Sequence, residues 1–124
     1  RIARDVFVAE TDEEARKYAK EGVLKRDYEQ YFFQNMKQNK VFNLIKTDPD
    51  MQDRDVTIDY LIDNVWIVGS VETVTRKLEE LFHLVGGFGT LLIMGHEWLP
   101  EEKWKSSVTL MMKEVIPALE KKGI

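Results

Sequence analysis

Residues 65–98 constrain the fold more than any other part of the chain. Trp66-Ile67-Val68-Gly69-Ser70 leads into Val71, Val74, Leu78, Leu81, Phe82 and Val85, which recur at helical spacing. Ser70, with Thr73 close behind, can cap the start of that helix, and Gly86-Gly87 supplies the positive φ on which helices commonly end. Thr90-Leu91-Leu92-Ile93-Met94 then forms a continuous apolar run of strand length, which calls for cover on both faces. A helix joined to a doubly covered strand belongs in an α/β architecture with a parallel sheet.

The flanking segments extend this pattern. Ile2 to Ala9 reads as a strand whose apolar residues crowd toward its end, again suited to burial on both faces. Thr11-Asp12-Glu13-Glu14 has the form of a capping box, so a helix is predicted to start there and to run to about Gln34. The aromatic-rich stretch that follows, with Tyr28, Tyr31, Phe32, Phe33 and Phe42, reads as packing or a lid. A turn at Thr47-Asp48-Pro49-Asp50 and a short helix over 56–64 come next. Residues 28–64 thus form a helical excursion without a strand. Pro100-Glu101-Glu102 opens a last helix with Trp104, Val108, Met111, Val115 and Leu119 on its apolar side, and Pro117 is predicted to kink it near residues 110–113. Two parallel strands with helical crossovers cannot close a sheet of their own. The chain therefore reads as one partial domain spanning residues 1–124 of a larger α/β fold, a reading that its start on Arg1 also suggests.

Composition narrows the function classes. With 44% hydrophobic and 32% charged residues in 124, the chain has the make-up of a globular protein. Its net charge of −4 comes from interspersed acids and bases, without the basic stripe that nucleic-acid binding needs. The absence of Cys removes disulfides, thiol nucleophiles and Cys-based zinc sites, and makes a cytoplasmic location the expectation. The longest uncharged run is broken by glycines and does not read as a membrane span. No metal-binding motif, P-loop or Gly-x-Ser-x-Gly elbow is present.

Four residues are candidates for a cofactor or substrate pocket. His96 follows the strand at 90–94, and ligands of α/β folds bind beyond the carboxyl ends of strands. A histidine there can serve as acid, base or hydrogen-bond donor, or simply bond to the loop backbone. Trp98 can stack on a planar ligand or pack on Trp104, and Glu97 can orient His96 or stay in solvent. Gly69 and Ser70 at a helix start form a generic anion site, although a serine there is most often only a cap. His83, near a helix end, reads as structural. No catalytic residue is assigned.

Ile67-Val68-Gly69-Ser70-Val71-Glu72-Thr73-Val74, Val85-Gly86-Gly87-Phe88-Gly89-Thr90-Leu91-Leu92 and Met94-Gly95-His96-Glu97-Trp98 together resemble the luciferase-like flavin-dependent monooxygenases. Residues 5–15 look like that family's seventh-strand segment, and Glu114-Val115-Ile116-Pro117-Ala118-Leu119 like the end of its C-terminal helix. Val71 departs from the pattern, since the family often has proline there. The resemblance implies the C-terminal part of a (β/α)8 TIM barrel, with two parallel strands and four or more helices: strand seven, an insertion over about 28–64, helix seven, strand eight and helix eight. It further implies an enzyme that oxygenates a small organic substrate with molecular oxygen and reduced FMN from a separate flavin reductase, and a homo-oligomer. His96, Trp98, Gly69 and Ser70 would lie at the active face, and the family's catalytic histidine belongs to an earlier strand. The 124 residues alone are expected to be inactive, and His96→Ala in the full-length enzyme to lower activity more than melting temperature. A deazaflavin-dependent oxidoreductase of the same superfamily and a non-catalytic α/β interaction module are the alternatives.

Overall fold

The computed structural model describes residues 1–124. The opening strand is broken by Asp5 into β1 (Ile2–Arg4) and β2 (Val6–Ala9). β2 pairs parallel with β3 (Ile67–Ser70), and β1 pairs parallel with β4 (Leu91–Ile93). All pairing is parallel, as predicted, but the strand count is higher than the sequence reading allowed, because residues 67–70 form a strand. The Asp5 carbonyl accepts from the Ile67 amide at 2.8 Å and the Arg4 carbonyl from the Met94 amide at 2.9 Å. Neighbouring carbonyls of a strand point to opposite edges, so β3 and β4 flank the central run on opposite sides.

Side-chain alternation makes β2 the centre of two cores. Phe7 and Ala9, with Val68 from β3, face Ala15 and Ala19 of α1 (Asp12–Glu21), Leu61 of α4 (Ile58–Asn64), Trp66 and Trp104. Val6 and Val8, with Ile67, face Val74 and Leu78 of α5 (Val71–Leu84) and Leu110, Met111 and Val115 near the C-terminus. All four residues of β2 are buried, as its apolar crowding implied. Burying a side chain of this size stabilises by roughly 1.5–3 kcal/mol relative to exposure.

β4 departs from expectation. Its continuous apolarity predicted cover on both faces, yet Leu92 is 50% and Ile93 43% exposed, and Met94 beyond it is also exposed. Residues 1–124 bring no second layer over this strand. The edge of β3 opposite β2 is covered by Lys77, whose ammonium donates to the carbonyls of Ile62, Trp66 and Val68 at 2.7, 3.3 and 3.2 Å.

Local signals set the helix ends. Thr11 accepts from the Glu14 amide at 3.1 Å and starts α1, while the Glu14 side chain pairs with Lys103 and does not close a reciprocal box. The predicted helix to Gln34 is interrupted at Gly22, where a Cβ would stand 2.4 Å from the Tyr18 carbonyl oxygen. After it come α2 (Val23–Asp27), a π-helical turn over Tyr28–Phe32 and α3 (Phe33–Gln38). The C-terminal helix begins as α6 (Glu101–Leu110), widens to a π turn over Met111–Val115 and ends as α7 (Ile116–Glu120). The widening falls just ahead of Pro117, which lacks the amide a regular turn needs, close to the kink that the proline predicted. No helix is long and apolar enough to cross a membrane.

Candidate functional site

His96 lies three residues beyond β4, and the loop turns its ring inward until the side chain is only 3% exposed. Nε2 stands 2.6 Å from Asp5 Oδ1 and Nδ1 2.8 Å from Asp27 Oδ2. Asp5 reaches this position because it interrupts the strand between β1 and β2, and Asp27 because α2 ends there. The Tyr28 hydroxyl donates to the other Asp5 oxygen at 2.7 Å. Arg26 bonds Asp27 Oδ1 and also Glu97 at 2.7 Å, so the network runs from the buried phenol to the surface. Trp104 lies beside the imidazole, ring centres 6.2 Å apart.

The electrostatics follow from this geometry. The bond to Asp5 raises the His96 pKa, burial opposes it, and Asp27 adds to the rise. Burial works to raise the Asp27 pKa, but the bonds from His96 and Arg26 outweigh it and hold the carboxyl below its ordinary range. Burial first, then the charge of Asp5, pushes the Tyr28 phenol up. Both ring nitrogens of His96 are engaged, so the arrangement is a clamp that favours imidazolium. It can transfer a proton only if one carboxyl partner moves away.

A pH dependence follows from the raised pKa. The folded chain keeps its His96 proton above about pH 6.5, the ordinary histidine value, where the unfolded chain loses it. The contribution of His96 to stability is therefore fully present below that pH and declines as pH rises through the folded pKa. Urea denaturation across this range should show the decline, and His96→Gln should flatten it. Equal slopes in the two proteins would exclude the clamp.

Gly69 and Ser70 are elsewhere. Ser70 is in register with Ala9 at the carboxyl end of β2 and β3, whereas Asp5 precedes the amino end of β2, so the structure does not gather the candidates into one site. Asp12 fills the α5 N-terminus: one carboxyl oxygen accepts from the Ser70 amide at 2.7 Å and the other from the Thr73 hydroxyl at 2.9 Å. The Ser70 amide bond is the main cause that lowers the Asp12 pKa. The expected anion site thus holds an internal carboxylate. Ser70 also caps α5, as predicted, accepting from the Thr73 amide at 3.3 Å. A Cβ on Gly69 would lie 2.5 Å from Thr73 Cγ2 and 2.9 Å from Asp12 Oδ1. Gly69→Ala should therefore cost about 1–3 kcal/mol, the usual penalty of overpacking, measured by thermal denaturation.

Trp98 is 43% exposed, and Trp104 pairs with Phe7 and His96. Glu97 reaches His96 only through Arg26 and Asp27. Sequence reasoning missed Asp5, Asp27 and Tyr28. Asp5 carried one signal, an acid inside an apolar β-branched run, where aspartate is disfavoured unless it has a partner.

The parallel strands, helical crossovers and uncovered β4 describe part of an α/β fold, and no protein-family model matches the chain. The proteins it matches are monooxygenases, one of them solved in complex with FMN, in agreement with the resemblance drawn from the sequence. The chain is 33% identical over 119 residues to 3,6-diketocamphane 1,6-monooxygenase of Pseudomonas putida, covering 95% of this chain and 32% of that protein. It is 35% identical over 120 residues to 2,5-diketocamphane 1,2-monooxygenase 1 of the same organism, covering 94% and 33%. A solved type II Baeyer-Villiger monooxygenase, the oxygenating constituent of P. putida 3,6-diketocamphane monooxygenase in complex with FMN, superposes with a TM-score of 0.85 at 34% identity. That match covers 93% of this chain and 32% of the solved one. The chain spans about one third of the length of the relatives it matches.

Proposed function

We propose that residues 1–124 are the C-terminal portion of a flavin-dependent monooxygenase that oxygenates a small organic substrate with molecular oxygen and reduced FMN delivered by a separate reductase. The observation that carries this reading is the match to diketocamphane monooxygenases along nearly the whole chain in both sequence and fold. The uncovered face of β4 supports it, because an apolar strand of a parallel sheet is stable when both faces are covered. In this reading strand seven, the insertion over about 28–64, helix seven, strand eight and helix eight are parts of a barrel, and the working protein is a cytoplasmic homo-oligomer.

In this reading residues 1–124 supply only part of the flavin enzyme, and two of their features offer the cofactor no ready partner. The helix start that could receive a phosphate is taken by Asp12, and the one buried side-chain donor without a partner, Trp66 Nε1, lies in the aromatic core. The flavin, which supplies the electrons that activate oxygen, is held mainly by residues outside this segment. Within the segment, Asp5, Asp27 and Arg26 orient His96, and Trp98 remains available to line a pocket.

The test is to express the coding region together with its upstream sequence and to measure oxygen consumption and substrate oxygenation with photoreduced FMN. Turnover with FMN and none with a deazaflavin supports the reading. Exclusive use of a deazaflavin, or a 124-residue chain that forms a stable assembly and is encoded alone, would overturn it.

A further inference from the structure

The two faces of β4 differ in what meets them. Ile2 pairs with Leu91, Ala3 with Leu92 and Arg4 with Ile93. Side chains alternate along a strand, so Leu91 and Ile93 share one face, and Leu92 and Met94 the other. Leu91 packs against the cluster of Val74, Leu78, Met111 and Leu119, which makes its face the one that α5 and the C-terminal helix cover. The opposite face carries Ala3, Leu92 and Met94. Met94 extends the ladder by one residue, since its amide donates to the Arg4 carbonyl at 2.9 Å, and it is the last side chain of this face before the loop turns to His96. It belongs to neither buried cluster.

The surroundings of Met94 suit a binding surface. It shares a cleft of about 210 Å³ with Ala3, Asp5, Phe32 and Met36. Asp5 is held in place by Tyr28 and His96, so that wall is fixed, whereas the unbranched methionine can adapt to what it meets. Ala3, Leu92 and Met94 carry no charge and no strong hydrogen-bonding group, so their face receives the hydrocarbon part of a ligand. In the barrel reading, on which this inference rests, the face opposite the helices is the barrel interior, and its layer at the carboxyl end of a strand meets the ligand. We propose that Met94 determines which substrates the enzyme accepts by size: its side chain forms the floor of the substrate pocket, with Ala3 and Leu92 in the packed layer beneath.

The test uses the full-length protein, expressed with its upstream sequence and supplied with photoreduced FMN. Cyclopentanone and 2,5-diketocamphane are the small and the bulky probe, and the readout is the ratio of their kcat/KM values. Met94→Phe should lower the ratio of bulky to small about tenfold, chiefly through KM for the bulky ketone, since one misfitting group in an apolar pocket is worth that much. Met94→Ala should move the ratio in the opposite direction. Ile93→Ala, on the helix-covered face of the same strand, should leave it unchanged. A ratio that neither Met94 variant moves, or that Ile93→Ala moves as far, would overturn the proposal, as would Met94 variants that alter FMN affinity alone. Absence of turnover with both ketones counts against the monooxygenase reading, and the methyl spectrum of protein labelled with carbon-13 methionine then decides the proposal. A saturable shift of the Met94 signal on addition of 2,5-diketocamphane, that signal being identified by its loss in Met94→Leu, supports it; a signal that stays in place overturns it.

Discussion

His96→Ala is expected to lower folding stability by about 3–5 kcal/mol, the cost of removing one partner from a buried charge pair. For a chain of this size that is a fall in melting temperature on the order of 10–20 °C. The loss arises mainly at Asp5, whose side chain is 9% exposed and keeps only the Tyr28 hydroxyl once the imidazole is gone. Asp27 suffers less, because it is more exposed and retains Arg26. Thermal denaturation near pH 6 measures the effect, and a loss below about 1 kcal/mol would mean that the clamp contributes no more than a surface ion pair. The expectation drawn from the position of His96 after a strand, that the substitution lowers activity more than melting temperature, concerns the full-length enzyme and is checked there by comparing turnover with melting temperature. Position along the chain suggested a pocket residue; burial between two carboxyl groups makes stability the first property to respond.

Phe7→Ala should cost about 3–5 kcal/mol, the range for truncating a buried aromatic side chain. Phe7 is 2% exposed, packs its ring 5.0 Å from Trp104 and 6.0 Å from Tyr18, and sits where α1 and α6 meet β2. The backbone beside it is tied into the same corner, since the Val8 amide donates to the buried Ser107 hydroxyl at 2.8 Å. Little of the resulting cavity can be refilled, because its neighbours are held by their own partners. Leu92→Ala is the matched control: Leu92 is half exposed, and its truncation should stay within about 0.5 kcal/mol. Urea midpoints for the two variants give the comparison, and equal losses would mean that the face of β4 is as well covered in solution as the core.

The helix signals were legible because each is local. Thr11 and Ser70 as caps, and the helical face from Val71, involve residues within one or two turns of each other, so spacing alone exposes them. Gly22 was harder to read, since a glycine inside a helical pattern is usually tolerated; its role depends on how closely the Tyr18 carbonyl approaches. The strand at 67–70 was passed over because its apolar run is short and ends in Gly-Ser, a signal shared with the helix start that follows.

The site was read only in part. His96 was singled out from its position after a strand, but its partners come from 91 and 69 residues away in the chain, and no local pattern connects them. Gly69 and Ser70 were read as free amides able to receive an anion, and sequence spacing could not reveal that Asp12, 58 residues from Ser70, fills that position.

By itself the sequence determined the α/β class, the parallel character of the strands, the caps, the disturbance ahead of Pro117 and the family resemblance, all of which rest on periodicity or on residues close together. Tertiary structure alone decided that β3 and β4 take opposite sides of the opening strand, that Asp12 closes the α5 N-terminus, and that His96 is clamped between Asp5 and Asp27. Those outcomes depend on distant groups meeting in a low-dielectric interior, where an unpaired charge is costly enough to select its partner.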